Sequence, residues 1–384
     1  MSRARRLGIL AAAPFLLVGM LYIGAQQYFE AAAFVIRAAD MDGVARRAAS
    51  LEAEPVSERD VAIPWRGGRL RGREYRTDRP TGRAILLAPG VHAGGVDEPR
   101  LVSFAREIAA TGHPVVSVEL PDLREYRITS RSTDMIADAA RWLGREWHDR
   151  MPAGEREAAL MGISFGGGLA VVAASHMAGD IAWTLSFGGH GDLPRTLRYL
   201  CTGQEPDGTH RPPHDYGVVV ILLGVAERVV PPEQVAPLRE AVLTFLQASH
   251  TDMTDKARAA EEFEDARALA HNLPEPARTF MGWVNDRDVA RLGRALLPHV
   301  GAMADDPALS PERNAPPTGP VYLLHGADDN VIPAAESELL AAHLRRSGGQ
   351  AVQLSSRLIT HAEVDQRPGL IEIWRLVRFW AGPL

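Results

Sequence analysis

The chain has 384 residues, 46% of them hydrophobic and 23% charged, a net charge of −6, and lysine only at Lys256. This is the balance of an ordinary globular enzyme, long enough for a large core with an insertion, and no basic cluster beyond the extreme N-terminus supports a nucleic-acid footprint. Cys201 is the only cysteine, which excludes an intrachain disulfide and a thiolate-rich metal site.

The first element is apolar. Arg3, Arg5 and Arg6 precede an uncharged run of 19 residues, Leu7 to Ala25. As a helix it would span about 28 Å, close to the hydrocarbon thickness of a bilayer. Two readings fit. In the first, residues 1–30 form an uncleaved transmembrane anchor, the arginines stay on the cytoplasmic side, and the rest of the chain lies outside the cytoplasm. In the second, Ile23-Gly24-Ala25 is a signal-cleavage site and the protein is secreted. The run exceeds the usual signal-peptide core, which favours the anchor.

Residues 31–57 read as a helical connector rich in alanine and arginine. Asp60 to Pro64 and Arg69 to Tyr75 read as two short strands joined at Gly67-Gly68. A strand–helix alternation follows. Strands are predicted at Arg83–Ala88, Pro114–Glu119, Glu157–Gly162 and Ala182–Phe187, with helices at Pro99–Thr111 and Ser132–Arg150. Near-continuous apolar strands bounded by glycine are what a parallel sheet covered on both faces requires. After Asp192 the rhythm breaks, and 193–318 reads as a mainly helical insertion closed by a Pro- and Ala-rich linker, Asp306 to Gly319. Alternation resumes over 319–384, with strands at Val321–His325 and Val352–Ile359 and helices at Ala334–Ser347 and Pro368–Trp380. The core is thus 58–192 plus 319–384, interrupted by a cap.

Gly162-Ile163-Ser164-Phe165-Gly166 matches G-x-S-x-G between a predicted strand and a predicted helix, the setting in which this motif exposes a nucleophilic serine. A serine hydroxyl needs a positioned base, so acid and histidine partners must lie elsewhere in the chain.

At this point the sequence resembles the α/β-hydrolase family, whose order is serine, acid, histidine. The resemblance covers about 83–192 and 319–384. It implies an α/β-hydrolase fold with a mostly parallel central sheet and a cap over the active site. His325-Gly326-Ala327-Asp328-Asp329 looks like the family's acid loop, which makes Asp329 the acid, Asp328 its near alternative, and Asp192 a competitor after the preceding strand. Asp192 fits a helix N-cap equally well. The resemblance puts the base at His361, in Thr360-His361-Ala362-Glu363. It puts the oxyanion donors at the Phe165 N–H and in the loop Ala88 to Gly95, first at Val91 and then at His92, which is also a candidate substrate contact. The implied activity is hydrolysis of small or lipid-like carboxylic esters at the membrane through an acyl-enzyme, without metal or cofactor. Amidase, thioesterase or acyltransferase chemistry on the same triad, or a non-catalytic scaffold, are the alternatives.

Overall fold

The computed structural model describes residues 26–39, 41, 43–51, 53–177, 179–359 and 369–384. The Leu7–Ala25 run, with its flanking arginines, lies outside these residues, as does His361. Among the described residues no helix is long and apolar enough to cross a membrane.

Eight strands form one sheet: β1 (Ser57–Trp65), β2 (Gly68–Arg76), β3 (Ile85–Ala88), β4 (Val115–Val118), β5 (Ala158–Ile163), β6 (Ile181–Phe187), β7 (Val321–Gly326) and β8 (Ala351–Ser356). Their order is β1-β2-β4-β3-β5-β6-β7-β8. The β1–β2 hairpin and the β2–β4 pair are antiparallel, and every pair from β4 to β8 is parallel. β3 and β4 are buried along their whole length, as strands covered on both faces must be. Alternate residues of β3 face opposite layers. Leu86 and Ala88 join a cluster with Met135, Ile136 and Leu169 from the helices Ser130–Trp147 and Phe165–Ser175. Ile85 and Leu87 join Leu101 and Ile108 of Pro99–Ala109 on the other face.

Residues 26–38 are helical and do more than connect. Phe34 is buried, with its ring 4.7 Å from that of Trp380 in the last helix, Leu370–Trp380. Between β6 and β7 the insertion contributes Leu193–Thr202, Asp215–Val229, Pro232–Thr251, Lys256–Asn272, Ala277–Asn285 and Val289–Leu296, all helices. The apolar run from Val218 is a helix whose residues from Val218 to Leu223 are buried, and it belongs to the same cluster as Leu86 and Leu169. The cap therefore has no core of its own.

The stretch expected as a linker, Asp306 to Gly319, is instead docked. Its prolines open two 3₁₀ turns, Pro307–Leu309 and Pro311–Arg313, with Leu309 and Ser310 buried. Thr133 Oγ1 donates to the Ala308 carbonyl at 2.9 Å, and the Ser310 hydroxyl accepts from the Leu193 N–H at 2.9 Å. Proline presets the turns and one buried leucine holds them, a combination that composition alone reads as loose.

Candidate active site

β5 runs straight into Ser164, which holds φ 54° and ψ −133°, a region that L-residues seldom occupy. The turn is tight enough to exclude side chains on its flanks. A Cβ on Gly162 would lie 2.3 Å from the Gly166 carbonyl oxygen, and one on Gly166 would lie 2.1 Å from the Pro89 oxygen. The Ser164 N–H donates to the Phe187 carbonyl at 2.8 Å, so the end of β6 fixes the turn from the side. The Phe165 N–H opens the helix Phe165–Ser175, where the unpaired amides of a first turn favour negative charge. A strained serine between parallel strand and helix, in a sheet of this order, decides the architecture. The fold is that of an α/β-hydrolase.

No protein-family profile and no curated protein matches the chain in sequence. Among solved structures it is similar to a hyperthermophilic esterase from the archaeon Pyrobaculum calidifontis, at 17% identity over 94% of this chain and 93% of that one, with a TM-score of 0.46. It is similar to a thermostable carboxylesterase cloned from a metagenomic library, at 19% identity over 87% and 90% of the two chains, with a TM-score of 0.45. A Pyrococcus horikoshii acylaminoacyl peptidase aligns at 12% identity over 83% of this chain and 40% of its own, again with a TM-score of 0.45.

The loop after β3 passes over the serine. A Cβ on Gly90 would lie 3.1 Å from Ser164 Cβ and 3.7 Å from its Oγ. Val91 follows, buried, and its carbonyl accepts a hydrogen bond from the Tyr216 hydroxyl. The next residue, His92, is held at both ring nitrogens. Nδ1 accepts from the Gly94 N–H at 3.0 Å, which leaves the proton of the neutral ring on Nε2, 3.2 Å from His250 Nδ1. Burial lowers the His92 pKa to about 4, so the ring is neutral near pH 7.

The three candidate acids occupy different surroundings. Asp329 is buried, with Oδ1 accepting from the N–H groups of Val331 (2.8 Å) and Ile332 (3.0 Å) and Oδ2 3.3 Å from His325 Nε2. Asp328 points outward with 65% of its side chain exposed, 3.7 Å from Arg211. Asp192 is the N-cap of Leu193–Thr202, accepting from the Arg195 N–H at 2.9 Å and from Arg313 Nε at 3.0 Å. A carboxylate committed to a cap and an arginine is a structural device. β8 ends at Ser356, and Leu358 and Ile359 are buried beyond it, so the described chain reaches the C-terminal edge of the sheet two residues before His361.

Sequence reasoning missed Tyr216 and His250. His250 reads as the start of a solvated helical segment, yet it lies one turn after buried Leu246 on the inner side of Pro232–Thr251. That spacing was the available signal. Tyr216 carried none, because its partner is a backbone carbonyl in a loop 125 residues earlier.

Proposed function

We propose that the protein is a serine hydrolase that cleaves carboxylic esters through an acyl-enzyme on Ser164. The observation that carries this reading is the strained Ser164 turn beneath the Gly90–Val91 loop. Ser164 Oγ attacks the acyl carbon while His361 takes its proton. The resulting oxyanion is held by the Phe165 N–H and an N–H of the overhead loop, first of all that of Val91. Collapse of the tetrahedral intermediate expels the alcohol, which receives the proton from His361, and water then releases the acid by the same steps. Asp329 orients the imidazole and stabilises its cationic form. The placement of Asp329 supports this role. β6 separates β5 from β7, so their ends stand about 10 Å apart along the sheet edge, a gap suited to an intervening imidazole.

The lipid-like class of ester, and a position at the membrane outside the cytoplasm, draw support from the Leu7–Ala25 run and from a second feature. Leu370, Ile371 and Trp374 are 85%, 77% and 52% exposed. Glu372 in the same turn lies 3.4 Å from Ser356 Oγ, which puts this apolar turn at the edge of the sheet that carries Ser164 and Asp329.

Treatment with a fluorophosphonate, followed by intact mass, tests the reading. One adduct is expected on the wild type and none on Ser164→Ala, whose turnover should fall by about 10⁴-fold or more. A variant that keeps wild-type turnover, or a folded wild type with no adduct, removes Ser164 from the chemistry.

A further inference from the structure

The cap's second helix, Asp215–Val229, begins between the two loops that flank the serine. The His214 N–H donates to the Asn330 carbonyl at 2.9 Å, one residue past Asp329, and the Tyr199 hydroxyl reaches the same carbonyl at 3.3 Å. Two residues on, the Tyr216 hydroxyl donates to the Val91 carbonyl. Within three residues the chain thus touches the acid loop through His214 and the loop over Ser164 through Tyr216. The bridge is stiff. Arg287 Nη1 grips the Asp215 carboxylate at 2.5 Å, the Tyr216 N–H donates to Asp215 Oδ1 at 3.0 Å, and the Tyr126 ring lies 6.3 Å from that of Tyr216.

The loop over Ser164 is held from two sides. Beyond Val91 the core holds it: the Gly95 N–H donates to the His92 carbonyl at 3.1 Å, and Arg124 Nε donates to the Ala93 carbonyl at 3.0 Å. At Val91 itself the cap holds it, through Tyr216, with His250 adding its contact to the His92 ring. A peptide unit is planar, so pinning the Val91 carbonyl aims the His92 N–H, the loop's second candidate donor, and restrains Val91, which carries the first, through its ψ. An oxyanion donor helps only when it is aimed before charge develops, and such donors act over a narrow range of distance.

We propose that Tyr216 is a positioning residue for the oxyanion hole and that His214–Tyr216 straps the acid loop to the oxyanion loop, so that both are in register only with the cap seated. This rests on the hydrolase reading above. The strap makes the cap part of the catalytic framework as well as a cover. Its seat on the core is a requirement for stabilising the tetrahedral intermediate, and substrate that fits beneath the seated cap is turned over in preference to substrate that pries it away.

The test uses the full-length protein and hydrolysis of p-nitrophenyl butyrate by wild type, Tyr216→Phe, His250→Gln and His250→Leu, with circular dichroism melting to show that each is folded. Tyr216→Phe keeps the ring and removes the donor. Its kcat should fall by about tenfold to a hundredfold while KM stays within about twofold. Affinity for a trifluoromethyl ketone, which mimics the oxyanion, should weaken by the same factor as kcat/KM. His250→Gln retains an acceptor for His92 Nε2 and should turn over faster than His250→Leu. An adduct on Ser164 together with unchanged kcat in Tyr216→Phe overturns the strap alone, and so does a fall in kcat with ketone affinity unchanged. No adduct and no turnover in wild type overturns the hydrolase reading and the strap with it.

Discussion

At Asp329 two backbone N–H groups fix one carboxylate oxygen while the other faces His325, and the side chain is almost wholly out of water. A carboxylate held in this way stays out of solvent, and the proposed role, holding an imidazole in one tautomer, needs such a fixed acid. Asp192 spends both oxygens on the Arg195 N–H and on Arg313. The two therefore separate under mutation. Asp329→Asn should lower kcat by about 10⁴-fold. Asp192→Ala should cost about 1 kcal/mol of stability as a lost N-cap and leave kcat within about threefold. Ester turnover beside urea midpoints reads both effects, and a large fall in kcat for Asp192→Ala would move the acid to the end of β6. The motif around Ser164, between strand and helix, was legible in the residues themselves. The choice between Asp328 and Asp329 was not readable from spacing alone, because adjacent residues in a turn face opposite ways and only the fold says which faces in.

Between elements, the loop over Ser164 meets Pro232–Thr251 through His92, and the turn that presents this ring depends on its protonation state. His92 Nδ1 accepts from the Gly94 N–H only while the ring is neutral, and burial holds it so by lowering its pKa to about 4, with Glu98 pulling upward and His250 and Arg100 adding to the lowering. The unfolded chain takes up this proton at its ordinary value near 6.5. Between those values the unfolded state binds more protons than the folded one, so stability falls as pH drops from about 6.5 to about 4, by at most about 3 kcal/mol. Urea midpoints at about pH 7 and about pH 4.5 should therefore separate more for wild type than for His92→Gln. Equal separations would mean that His92 is not the group that titrates. The element pattern itself was readable, since buried parallel strands and amphipathic helices carry their periods in sequence. The 306–319 stretch was misread because a turn of prolines looks the same whether it floats or packs, and the partners that pack it, Thr133 and Leu193, lie far away in the chain.

On the scale of the whole molecule, the start of the last helix and the C-terminal ends of β5 and β7 share one edge, and the large apolar side chains exposed there among the described residues include Leu370, Ile371 and Trp374. Apolar and aromatic side chains at a rim are suited to a lipid interface. Ile371→Glu should lower hydrolysis of a long-chain ester presented in phosphatidylcholine vesicles by about tenfold, and leave a water-soluble short ester within about twofold. Equal loss on both substrates would show that the turn serves folding rather than lipid. Sequence by itself determined the alternating architecture, the strained serine turn and the apolar N-terminal run, because each is written in local period, glycine spacing or composition. Tertiary structure alone decided which carboxylate is buried, that the cap shares the main core, and that Tyr216 and His250 reach the loop over Ser164. Those are contacts between residues far apart in the chain, set by how the layers close on one another, and no local pattern encodes them.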